Sequence, residues 1–284
     1  MISEPRMGRI TQGTIFCGGH AEHYSGLPVW GLVITARCDT VHEKTPIVNY
    51  LPVVTIEDWL RGHGGLLTLD REEADVRNRF KNLLAKQQLS ASLLEVHSPE
   101  EIARLHFSVH AELGSSKATK EAREAQEAKD IATWLDRLQQ CLHSSLPNST
   151  IQTNVTRCRK SVEAVVKDLL THKLAGYYFL PTLGELTEKP SKKGYVVLLR
   201  EVHHMPREGV MQLIQGISRD KANLTSTRGL CFDCFDFIYP IAELMSPWTE
   251  HLMQSFCNLF GRIGVADINK NALHQIIGDM AFKQ

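Results

Sequence analysis

The sequence predicts an α+β fold in which small β-barrel units flank a helical middle segment containing an αα-hairpin. Three observations carry this. Short runs rich in Val, Ile, Phe, Tyr and Trp, punctuated by glycine, fill the first 69 residues and return after residue 176, while the residues between follow helical spacing with well-marked helix starts. The chain therefore divides at 1–69, 70–175 and 176–284. With 284 residues, 43% hydrophobic and 23% charged, it has the composition of a packed soluble protein.

In the first block the strand signals are Gly13 to Cys17, Val29 to Ala36 and Val48 to Thr55, with Gly18-Gly19, Ser25-Gly26 and Gly62-His63-Gly64-Gly65 as turns or loops. The middle block opens with Asp70, Glu72, Glu73 and Asp75 ahead of Arg77, Arg79, Lys81 and Lys86, the charge order that a helix dipole favours. Ser98-Pro99-Glu100-Glu101 starts a second helix with a capping serine and proline at the first helical position. Ala118, Ala122, Ala125, Ala128, Ala132, Leu135, Leu138 and Leu142 lay an apolar stripe along a long third helix. Leu146-Pro147-Asn148-Ser149 breaks that helix, and Val155, Cys158, Val162, Val165, Leu169 and Leu170 return as the second arm of the hairpin. The hairpin docks on a β unit, on a partner, or serves as an internal connector.

The third block offers strands at Gly176 to Leu183, Tyr195 to His203 and Phe232 to Ile241, forming a second barrel or the far half of one composite sheet. The strings Tyr50-Leu51-Pro52, Phe179-Leu180-Pro181 and Tyr239-Pro240-Ile241 hint at duplication. Ser246-Pro247-Trp248 opens a helix whose Trp248, Leu252, Phe256, Leu259, Phe260 and Ile263 seal the core, ending near Gly261 to Gly264.

Two strand ends concentrate chemistry. Val29 to Ala36 runs into Arg37-Cys38-Asp39, and Tyr195 to Leu199 runs into Arg200, Glu201, His203 and His204. Arg37 and Arg200 are candidates to stabilise a pentacovalent phosphate, with Asp39, His203 or His204 moving the proton. The simpler account pairs Arg37 with Asp39 or Glu43, and Arg200 with Glu201, in salt bridges. Nucleophilic attack by Cys38 needs a base, for which His20, His42 and His203 are the choices. Cys17, His20 and His23, with Cys38 and His42, offer the sulfur and imidazole ligands that zinc takes, against the plainer reading of Cys38 as a buried thiol. No other cofactor is expected. Cys231-Phe232-Asp233-Cys234 lacks a second CxxC or a βαβ setting, and strand alternation would put its thiols on opposite faces.

Thirty-two basic residues balance thirty-two acidic ones, which excludes a global positive field for nucleic acid and leaves only a local RNA-binding patch open. Seven irregularly spaced cysteines favour reduced, mostly buried thiols; with no signal-peptide pattern and no apolar run long enough to span a bilayer, a cytoplasmic protein without membrane contact is expected. Neither phosphate-binding glycine motif is present, so any energy use belongs to a partner.

Gly13-Thr14-Ile15-Phe16, the Pro28-Val29 strand and Leu51-Pro52-Val53-Val54 resemble the SH3-like barrel of the MazF and PemK ribonuclease toxins over about 50 residues. That resemblance implies SH3-like units and metal-independent endoribonuclease activity. The chain departs from those toxins where they place a basic residue before the Pro-Val strand, since Leu27 stands there. Gly31 to Asp39 with Asn49 to Val54, and Ser246 to Leu252 continuing to Arg262-Ile263-Gly264, resemble uncharacterised bacterial proteins of anti-phage defence loci. This implies a binding or adaptor component of a defence assembly, engaging a protein partner such as an ATPase or nuclease encoded nearby. A zinc-stabilised binding module is the third alternative.

Overall fold

A computed structural model describes the chain except residues 7, 42–44, 108–115, 144–147, 188–189, 223–225 and 261–284. In chain order the first block contributes β1 (Ile2–Ser3), β2 (Thr14–Cys17), β3 (Trp30–Val33), α1 (Arg37–Val41), β4 (Ile47–Thr55) and α2 (Ile56–Arg61). The helical middle holds α3 (His63–Lys86), α4 (Leu93–Val96), α5 (Pro99–His106), α6 (Ser116–His143), α7 (Asn148–Val155) and α8 (Arg159–Leu170). The last block adds β5 (Tyr177–Leu180), β6 (Tyr195–Leu198), β7 (His203–Pro206), α9 (Arg207–Gln215), β8 (Ile217–Ser218), β9 (Phe237–Ile238), β10 (Pro240–Leu244) and α10 (Trp248–Phe260).

The fold is α+β, and its antiparallel sheet curls into a half-barrel. Strand order is β1-β10-β2-β3-β4-β6-β5, with β7 also paired to β4, and β8 and β9 form a separate ribbon. The strands of the first and third blocks thus do not close into a barrel in each block. They build one sheet between them, the composite of the two alternatives, and β4 is the seam. Val53, Val54 and Thr55 of β4 pair with β6, and Ile47 to Tyr50 pair with β7.

Period-two alternation sends side chains of the same strands into two cores. Tyr195 and Val197 of β6, Tyr178 and Leu180 of β5, and Val53 of β4 share one face with Trp30 and pack with Leu252 in one core. Val196, Leu198 and Val54 face the other way, onto Trp59 of α2 and Val165 and Leu169 of α8. Because both faces are covered, the strands read as continuous apolar runs.

The long helix α6 is present, but it and α8 each pack on α3, which replaces the expected direct pairing of the two hairpin arms. Ala128, Ala132, Leu135 and Leu138 of α6 lie against Leu69, Val76, Phe80 and Leu84 of α3 in a core of their own. α3 starts at His63, so the glycine-rich segment expected as a loop is already helical. The Ser98 cap is as expected: its hydroxyl accepts the Glu101 N–H. Trp248 opens α10, whose expected end at Gly261 to Gly264 lies outside the described residues, as does Ile263. No helix among the described residues is long and apolar enough to cross a membrane.

Candidate functional site

Between its pairings with β6 and β7, strand β4 has only Leu51 and Pro52, while the opposite chain spends Leu198 to Val202. Pro52 has no N–H to offer a ladder, and the surplus residues loop out as a bulge, a device that re-aims side chains beside functional sites. Glu201 sits in this bulge and His203 begins β7 directly opposite Tyr50.

His20 arrives from the other side of Tyr50. After β2, the Gly18 and Gly19 N–H groups both donate to the Val29 carbonyl, at 3.1 and 3.0 Å. A Cβ on Gly19 would stand 2.6 Å from the Trp30 carbonyl group, so only glycine lets the chain lie this close to β3 before it delivers His20. The His20 N–H donates to the Tyr50 hydroxyl at 3.1 Å, and that hydroxyl in turn donates to the Gly229 carbonyl. The Tyr50 ring, fully buried, stacks on His203 with centroids 5.7 Å apart.

The result is a cluster of His20, Glu201 and His203 whose ligand-capable atoms all lie within 4.8 Å of one another. His203 Nε2 is 2.7 Å from Glu201 Oε1, which also accepts the Glu22 N–H at 2.7 Å. The His20 and His203 rings meet edge to face at 4.9 Å. Burial pushes the Glu201 carboxyl up, but the hydrogen bonds from His203 and the Glu22 N–H, with the charges of His203 and His20, outweigh it and hold the carboxyl below its ordinary value. Around a divalent ion with bonds of about 2.0–2.2 Å, neighbouring ligand atoms stand about 3–3.5 Å apart.

The cluster edges a cleft of 380 Å³ lined also by Glu22, His23, His63, Tyr177 and Arg200. Tyr24, buried, shares a 3.0 Å hydrogen bond with His63 Nδ1. Burial, with help from His23, holds the His63 imidazole below its ordinary pKa. His23 meets His63 with ring centroids 5.2 Å apart.

Of the residues singled out in the sequence, His203, Arg200 and His23 line this cleft, His20 stands beside it through its contact with Glu201 and His203, and Cys17 and Arg37 to Asp39 lie elsewhere. Cys17 is buried in β2, where its thiol donates to the carbonyls of Phe237 and Tyr239 at 3.5 Å and accepts the Tyr239 N–H at 3.3 Å. Arg37, Cys38 and Asp39 are not at a strand end, because β3 stops at Val33 and these residues begin the short helix α1. Cys38 is exposed rather than buried, and Asp39 lines a different cavity, with Arg9 and Arg207. His42 lies outside the described residues. Among the described residues neither Arg37–Asp39 nor Arg200–Glu201 forms a salt bridge, Glu201 pairs with His203 instead, and the alternative Arg37 partner Glu43 lies outside the described residues. None of the seven cysteines is in a disulfide, and three are buried; Cys231 and Cys234 occupy a turn-rich loop and not a strand. Glu201 as a member of the cluster, and His63, Tyr24 and Tyr50 as its surroundings, were missed. Only Glu201 carried a signal, its two-residue spacing from His203, which puts both on one side of an extended chain.

No protein-family model, curated protein or solved structure matches the chain.

Proposed function

We propose that this chain is a zinc-dependent hydrolase whose metal is held by His20, Glu201 and His203. The observation that carries the reading is the convergence of two imidazoles and a carboxylate from distant parts of the sequence onto one point. Three protein ligands with the remaining position open to a cleft is the arrangement of a catalytic zinc site, whereas structural zinc sites are closed by four protein ligands. The supporting groups are of the right kind: the Glu22 N–H fixes the carboxylate and the Tyr50 hydroxyl fixes the His20 backbone. The reading replaces the mixed Cys/His zinc set expected from the sequence, since Cys17 and Cys38 lie away from His20. Cobalt(II) titration tests it: visible d–d bands that saturate near one equivalent and vanish in His203→Ala and Glu201→Gln are expected. A featureless titration of the wild-type chain overturns it.

A second reading, the protein-binding adaptor of a bacterial defence assembly, is favoured by one observation. The amino-terminal half of the α6 alanine stripe, Ala122 and Ala125, is left lining an 800 Å³ groove with Ala103 and Phe107 of the α5 region. Glutamate at Ala122 and Ala125 should abolish complex formation with proteins encoded beside this one while leaving the fold intact; an unchanged complex rejects the groove as the contact.

A further inference from the structure

We infer that the cleft beside the cluster binds a phosphate ester, with Arg200 as the anchor of its oxyanion. The inference rests on the metal reading for the hydrolytic step but on separate residues for recognition.

Arg200 is the first residue past the end of the Leu198-Leu199 segment and stands on the lip of the cleft, next to Glu201 in sequence yet not paired with it. Glu201 is already engaged by His203 and the Glu22 N–H, so the nearest carboxylate is spoken for and the guanidinium has no ion pair among the described residues. Its side chain is also placed. Gly176, at φ +93°, runs beneath it, and a Cβ there would stand 2.7 Å from Arg200 Nε and 3.1 Å from Cδ. The arginine stem lies in the space that a side chain at 176 would fill, with the positive φ keeping that position for glycine. A stem seated over Gly176 leaves the exposed guanidinium at the lip of the cleft, where its fork of donors faces the opening.

The other cleft groups suit the same ligand. Tyr177 is half-buried beside Arg200, whose charge opposes the upward push of burial on the phenol, so the two groups feel each other across the lip. His63 and His23 face them as imidazoles, which donate hydrogen bonds to oxyanions without adding a fixed negative charge. The acidic groups of the cleft are Glu201, which the metal would neutralise, and the exposed Glu22. A cation at the cluster and a fork-shaped cation at the lip bracket a position fitted to a tetrahedral oxyanion with several acceptor oxygens. Hydrolysis there adds water across one P–O bond: the water oxygen joins phosphorus, the bond to the leaving alkoxide breaks, and the water proton ends on that alkoxide.

The experiment titrates inorganic phosphate into zinc-loaded wild-type, Arg200→Ala and Arg200→Lys chains by calorimetry, with metal content measured on the same samples. Loss of a charge-assisted bidentate contact predicts about tenfold or greater weakening in Arg200→Ala, with partial recovery in Arg200→Lys and metal content unchanged. Equal affinity in wild type and Arg200→Ala, or no binding at millimolar phosphate by the metal-loaded wild type, overturns the inference while leaving the metal site standing. A wild-type chain that retains no metal refutes the metal reading alone. The same titration on that metal-free protein still decides on Arg200, supporting it if Arg200→Ala is weaker and rejecting it if not. Bis(p-nitrophenyl) phosphate against p-nitrophenyl acetate sorts the substrate: the inference requires Arg200→Ala to lower turnover of the phosphodiester at least tenfold more than that of the acetate, and an equal loss on both contradicts it.

Discussion

Replacing Tyr50 by phenylalanine removes one oxygen atom and, with it, the hydrogen bond that ties the His20 backbone to strand β4. The ring stays, so its stacking on His203 and its edge-to-face contact with Phe16 at 5.1 Å are kept. What goes is the hydroxyl that accepts the His20 N–H and donates to the Gly229 carbonyl. Burial pushes this phenol far above its usual pKa, so the hydroxyl keeps its proton throughout the accessible pH range and both bonds persist. A buried partner left unsatisfied costs about 1–3 kcal/mol, and a partner that water can reach costs less. Gly229 is half-buried and His20 exposed, so the total is about 1.5–3 kcal/mol, or about 2.5–5 °C in Tm for a chain of this size. Freeing the His20 backbone should also weaken zinc by about tenfold, the lower end for outer groups that orient ligands. Thermal unfolding followed by circular dichroism, together with a chelator competition, reads both quantities. A Tyr50→Phe chain within about 0.5 kcal/mol of wild type and with unaltered zinc affinity would show that the Tyr50 hydroxyl does not position His20.

Other perturbations reach separate parts of the account. Gly31→Ala places a Cβ 2.1 Å from Phe16 Cζ in a fully buried strand pair, so urea unfolding should show a loss of about 1–3 kcal/mol; no loss would mean the β2–β3 packing is misdescribed. Leu135→Ala, in the separate core between α3 and α6, should cost about 2–5 kcal/mol yet leave zinc affinity unchanged, and a parallel loss of zinc would contradict the independence of that core from the site. The folded pKa of Glu201 lies below the unfolded value of about 4.3, so its contribution is complete above that pH and is lost as pH falls through the folded value. Glu201→Gln should therefore flatten the acid limb of metal-free stability below about pH 4.3. His63, likewise depressed, favours the folded state when neutral, so its contribution fades as pH falls from about 6.5 through its folded value; His63→Gln should lessen the drop in stability over that window, and an unchanged profile would refute the burial argument.

Local structure was legible where local chemistry decides it. The Ser98-Pro99 helix start, the alanine stripe of α6 and the apolar runs of β2, β4, β5 and β6 are all written in short spacings. Long-range pairing was not. Nothing local says that Tyr50 will face His203, and the continuous apolar strands, buried on both faces, offer no alternation from which to judge partners. The site suffered twice from this. Arg37-Cys38-Asp39 looked like a strand end because the apolar run continues through Ala36, whereas the Ala36 carbonyl accepts the Asp39 and Thr40 N–H groups and starts a helix. The cysteines drew the metal search toward Cys17, whose strand position turns its thiol into the core. Meanwhile the groups that converge come from residues 20, 201 and 203, and nothing local in the sequence brings His20 to the other two.

The most direct test of the central claim is a native mass spectrum of the gently purified chain beside its denatured mass, repeated for His203→Ala and for a Cys17→Ser, Cys38→Ser double variant. The account predicts an adduct of one zinc per chain in the wild type and in the cysteine variant, and its loss in His203→Ala. A wild-type chain of bare polypeptide mass, or zinc that survives His203→Ala and disappears with the cysteines, would contradict it.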